Sequence, residues 1–196
     1  MTIAKTALAF AVALIVSSCA TSSASAQKEP LAVNAYGAAV KDFRDRADAY
    51  LALHRKVAGT VPPLKQTDDA AQLTTREVAL GEAIRQARAG AKPGDLFGAE
   101  LSKHVRNLVK KDWANRSAAD RAGLREEIPP ATRADVNTLY PSGLPLATFP
   151  ASLLTTLPPL PEQLEYRFIG RHLIVRDVNA NLIVDVLPNV LPGART

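Results

Sequence analysis

Three groups of residues have types and spacings that could do chemistry. Asp177, Asn179 and Asn181 alternate like the opening of a calcium loop, in which side-chain oxygens at alternate positions bind the ion. That loop also needs Gly at its sixth position and Glu at its twelfth. Here those positions hold Leu182 and Pro188. Leu182 resists the sharp turn and Pro188 has no side-chain oxygen. The triplet therefore reads as a β-turn closed by side-chain hydrogen bonds at Asp177 and Asn179. The second group is His54, His104 and His172. They fall on three different elements, and none has a second ligand three or four residues away, as a zinc pair requires. His54 sits on an apolar seam, where a partly buried, hydrogen-bonded ring is the ordinary explanation. A metal site composed in space from distant residues stays open, but no metal ligand and no cofactor are assigned.

The third group is basic. Lys103, Arg106, Lys110 and Lys111 follow one another near Trp113. They read as a stripe for an anionic surface or as a solvated helix face. Catalytic signatures are missing: there is no G-x-S-x-G, P-loop or dinucleotide fingerprint. Ser142, in Tyr140-Pro141-Ser142-Gly143, is a turn residue. Glu126 and Glu127 are adjacent and point to different sides of a helix. Asp68-Asp69 suits a helix start, where negative charge complements the dipole. No catalytic residue is assigned.

The elements that must position these residues fall into two halves. Val33, Tyr36, Val40, Phe43, Ala47, Tyr50, His54 and Val57 are spaced alternately by three and four, a heptad seam on a helix of about seven turns. Lys41–Asp45, Asp42–Arg46 and Arg44–Asp48 are i,i+4 pairs on its other face. Gly59 and Pro62-Pro63 stop it. A second helix starts after Asp69 with Leu73, Leu80, Ile84 and Ala87 as its stripe, and ends by Gly90 and Pro93-Gly94. A third runs over 95–114 with Phe97, Leu101, Val105, Leu108 and Trp113 inward. Ser117-x-x-Asp120 resembles a capping box for a fourth, and a fifth short helix is expected near 133–139. Short loops favour antiparallel packing of neighbours.

Eight of the 14 prolines lie between Pro129 and Pro161. That stretch, 129–163, cannot be a long helix. Its leucines and Phe149 predict an apolar strap wrapping the helices. The period then changes to two. Leu164, Tyr166 and Phe168 alternate with Glu165 and Arg167, Gly170-Arg171 fits a two-residue type II′ loop, and strands follow at 172–176 and 181–187. Leu182, Val184 and Val186 are expected on one face of the last. The expected fold is α+β: a helical bundle at 33–128, the strap, a three-stranded antiparallel meander at 164–188 that must pack on the helices, and a tail at 189–196.

The first 26 residues address the chain. Lys5 precedes an apolar run of 10 residues at 7–16, and small residues follow. This is the pattern of a signal peptide, too short for a membrane-spanning helix. Ala24-Ser25-Ala26 offers a cleavage site after Ala26. Val16-Ser17-Ser18-Cys19 offers a lipobox with Cys19 lipidated, and both readings stand. The residues after it, through 27–32, form a tether rich in Ser and Ala. The chain has a formal charge of +5, and loss of Lys5 with the leader makes it +4. In an exported protein this excess points to anionic lipid, lipopolysaccharide or wall polymer as partner rather than nucleic acid. Cys19 is the only cysteine, which rules out an internal disulfide framework.

The block LPPLPEQLEYRFIGRHLIVRDVNANLIVDVLP at 157–188, with YPSGLPLATFPASLL at 140–154, resembles the C-terminal end of a group of uncharacterised bacterial exported proteins. That resemblance implies export and no particular activity. More loosely, the prolines before the YR…LIV…LIVDV hairpin look like RcnB-type periplasmic proteins, which implies metal homeostasis. The expectation is an exported envelope protein, periplasmic, anchored to the outer membrane as a lipoprotein, or secreted. It acts as a non-enzymatic structural or interaction module partnered by an envelope protein or anionic surface. A periplasmic metal-binding role is the alternative.

Overall fold

The computed structural model describes residues 34–63, 69–130 and 134–192, all within one unit of the chain, 33–196. The leader with Cys19 and Ala26, the tether at 27–32, Asp68, Arg133 and the last four residues of the tail lie outside the described residues. The fold is α+β, with helices and one antiparallel sheet.

Helix α1 (Ala35–Ala58) starts where the Asn34 side chain accepts the Tyr36 N–H at 3.1 Å, satisfying one of the orphan donors of the first turn. Its buried face is Ala39, Phe43, Ala47, Tyr50, Leu51 and His54. This follows the expected seam, widened by Ala39 and Leu51 into the broad stripe of a core-facing helix. Helix α2 (Ala70–Ala87) is capped by Asp69, as expected. Its predicted stripe is corrected: Leu80 and Ile84 are buried, but Leu73 is 44 % exposed and Ala87 is exposed. The reason is where α2 meets the fold. At Gly81 a Cβ would lie 2.4 Å from a methyl of Leu139 and 2.6 Å from the carbonyl oxygen of Ala180. This close approach needs a residue without a side chain, and the buried residues of α2 all lie between Leu80 and Ile84.

Helix α3 (Gly98–Asn115) buries Leu101, Val105, Val109 and Trp113. It begins three residues later than expected because Gly94–Phe97 form turns held by Asp185. Helix α4 (Ala118–Glu127) has the expected capping box, with Ser117 and Asp120 each satisfying the other's backbone N–H.

The fifth helix expected near 133–139 is replaced by strand β1 (Thr138–Leu139). The sheet therefore has four strands, not three, in the order β1-β4-β3-β2. The backbone N–H groups of Asn137 and Tyr140 bond to the carbonyls of Ile183 and Asn181, fastening the new edge. The strap is only partly extended, since it also supplies helix α5 (Ala151–Leu154). Strands β2 (Leu164–Ile169) and β3 (His172–Asp177) pair through a two-residue loop with Gly170 at φ 52°, as the turn chemistry predicted.

Strand β4 (Leu182–Leu187) departs from strict alternation. Val175 pairs with Asp185 and Arg176 with Ile183, so Val184 is an extra residue. This bulge shifts the phase. Leu182, Val184 and Leu187 join the main core, whereas Val186 joins Ile183 on the other face, so the expected face of Val186 is corrected. The main core unites α1, α2, α3, α4, the strap and one face of the sheet. The opposite face, with Ile169, Ile174, Ile183 and Val186, is covered by Tyr140, Val136, Ala134 and Leu144.

Candidate functional site

The calcium-like triplet folds into the turn after β3, and Asp177 becomes the centre of a buried cluster. It is wholly buried. Its Oδ1 accepts the backbone N–H groups of Asn179 and Ala180, both at 2.9 Å. Its Oδ2 accepts the Tyr50 hydroxyl at 2.7 Å and bonds His54 Nδ1 at 2.6 Å. Tyr50 and His54 lie one turn apart on α1, so both reach the same oxygen. Burial by itself would raise the Asp177 carboxyl. The hydrogen bonds from His54 and Tyr50 outweigh it and hold the group below the usual carboxylate range. Burial and the Asp177 charge together push the Tyr50 hydroxyl well above the usual phenol range, so it stays a donor. Arg88 lies 5.1 Å from the centre of the Tyr50 ring. Asn181 is occupied as well, accepting Arg176 Nε at 2.9 Å. The Asp177 and Asn181 oxygens thus hold the fold together, whereas Asn179 closes the turn through its backbone N–H and not, as expected, through its side chain.

His54 also lines a cleft of about 310 Å³, together with Leu73, Arg76, Glu77, Val178 and Asn179. With the ionised carboxylate on Nδ1, that nitrogen carries the proton. In the neutral ring Nε2 is then an acceptor. Nε2 makes no hydrogen bond to a described residue.

No family model, curated protein or solved structure matches this chain.

The second wholly buried carboxylate is Asp185, which the bulge turns toward α3. Its oxygens accept backbone N–H groups from Gly94 (2.6 Å), Leu96 (2.7 Å), Phe97 (2.9 Å) and Val186 (2.7 Å). Burial raises its carboxyl above the usual range, and the four N–H groups offset only part of that rise.

The basic candidates do not form one free stripe. Lys103 bonds Glu100 at 2.7 Å. Arg106 donates to the Pro188 carbonyl beyond β4. Lys110 and Lys111 are exposed. Trp113 is buried, with the Arg125 guanidinium 4.7 Å from its ring centre. Asp112 is bonded by Arg116 at 2.7 Å and by Ser152 of α5 at 2.6 Å, tying the strap to α3. His104 meets Tyr36 edge-on, and His172 Nδ1 accepts the Asn189 N–H at 3.3 Å. Among the described residues, no three His, Cys, Asp or Glu side chains gather into a metal site, and no helix is long and apolar enough to cross a membrane.

Sequence reasoning treated His54 and Asp177 separately. One signal could have joined them: Tyr50 and His54 are two polar rings an i,i+4 step apart on an otherwise apolar seam, and such a pair needs a buried partner.

Proposed function

We propose that this is an exported bacterial envelope protein acting as a non-enzymatic binding or structural module, periplasmic or held at the outer membrane through Cys19. The observation that carries the reading is the leader pattern: Lys5, the apolar run at 7–16, and the small residues through Ala26. The folded region fits a rigid module. Its two wholly buried carboxylates, Asp177 and Asp185, each have four hydrogen bonds within the fold. Buried acids so satisfied rigidify a scaffold. The anionic envelope surface remains the partner for exposed Lys110 and Lys111.

Cell fractionation, combined with labelling by radioactive palmitate of wild type and Cys19→Ala, tests the reading. Export with label lost in the variant establishes the anchored form. Export without label in either establishes the released form. Retention of the whole chain in the cytoplasm overturns the proposal.

A further inference from the structure

The cleft beside His54 combines side chains of complementary hydrogen-bonding character. His54 Nε2 accepts in the neutral ring, because Asp177 holds the proton on Nδ1. Glu77 accepts, Arg76 donates, and the Asn179 amide does both. Arg76 gives one N–H to the Pro62 carbonyl, and the guanidinium has further donors. Arg76 and Glu77 balance in charge, so the cleft selects neither an anion nor a cation. Leu73 and Val178, 44 % and 40 % exposed, supply apolar surface beside these groups. A volume of about 310 Å³ lies at the small end of ligand clefts, which run roughly 300–1,000 Å³.

We propose that this cleft binds a neutral polyhydroxylated ligand, a small saccharide unit, through His54, Arg76, Glu77 and Asn179. A hydroxyl both donates and accepts, so neighbouring hydroxyls suit a site that offers acceptors and donors side by side. The C–H faces of a sugar ring suit Leu73 and Val178. The buried Asp177 acts as a positioning residue: it fixes the orientation and the tautomer of His54 without reaching the ligand. A carboxylate or phosphate would meet a like charge at Glu77 beside Arg76, whereas a neutral hydroxyl meets none. This deepens the binding-module reading and rests on it, with an envelope glycan as the source of the saccharide.

Nuclear magnetic resonance of the processed full chain tests it. The protein is titrated with methyl β-glucoside, N-acetylglucosamine and N,N′-diacetylchitobiose, and separately with sodium acetate and sodium phosphate. The expected result is saturable movement of the His54 imidazole and Asn179 amide resonances with at least one sugar and with neither salt. Asn179→Ala and Glu77→Ala remove side chains outside the buried cluster, the Asn179 backbone N–H on Asp177 being kept, and should each weaken that binding about fivefold or more, the loss of one or two hydrogen bonds. The proposal is overturned if no sugar gives saturable movement up to its solubility limit. It is equally overturned if the salts saturate the same resonances, or if sugar affinity is unchanged in both variants. Failure here leaves export, read by fractionation, to stand or fall separately.

Discussion

His54 Nδ1 lies 2.6 Å from Asp177 Oδ2 across 123 positions of the chain. This bond and the Tyr50 hydroxyl beside it fasten the C-terminal half of α1 to the end of β3. Removing the carboxylate leaves a buried hydroxyl, an imidazole N–H and two backbone N–H groups without their acceptor. Asp177→Ala is expected to lose about 3–5 kcal/mol of stability, the usual cost of breaking a buried charged pair from one side. Urea unfolding of the variant checks it, and a loss below about 1 kcal/mol would contradict the network's role.

Acid stability separates the two buried acids by sign. Asp177 is held below the usual range by His54 and Tyr50 against the effect of burial. Its contribution is therefore complete above the unfolded value of about 4 and is lost as pH falls through its folded value. Glu165 is also lowered: burial opposes ionisation, but hydrogen bonds from Arg167 and Arg176 outweigh it. Its contribution has the same sign. Asp185 is raised by burial, so its contribution is largest below about pH 4 and declines as pH rises through its folded value. Urea midpoints should fall on acidification below about pH 5. Asp177→Asn should make that fall shallower and Asp185→Asn steeper. Parallel curves for all three proteins would refute the assignment.

The bulge at Val184 aims Asp185 at the turns before α3. Asp185→Ala is expected to expose the amides of Gly94, Leu96 and Phe97 to rapid hydrogen exchange. Amides of the β2–β3 pair should keep their protection relative to global stability, because that pairing does not involve Asp185. Exchange read by mass spectrometry tests this, and uniform loss across the sheet counts against a local role.

Two glycine substitutions should act in opposite directions. Gly81→Ala places a methyl against Leu139 and the Ala180 carbonyl. Overpacking there costs about 1–3 kcal/mol, more than the helix propensity returns. Gly123 of α4 has open space around its Cβ direction, so Gly123→Ala is expected to stabilise by about 0.5–1 kcal/mol. Thermal unfolding of both variants against wild type decides it.

What the sequence alone determined is what local chemistry controls. The 3–4 spacing from Tyr36 to Val57 placed α1, Asp69 and Ser117-x-x-Asp120 placed two helix starts, and Gly170-Arg171 placed the hairpin with its register. The period-two pattern of Leu164, Tyr166 and Phe168 identified the core face of β2. Tertiary structure decided everything that joins distant segments. Thr138-Leu139 carries no strand signal of its own and becomes β1 because the open edge of β4 offers unpaired backbone groups. The phase of β4 turned on Val184, whose bulge is invisible in a run of apolar residues that is buried on both faces. The cleft shows the same division. His54 on its seam and Asp177 in its turn were each legible, but their bond was not. A side-chain hydrogen bond spanning 123 positions leaves no periodic trace, and it forms only when α1 and the sheet share one core.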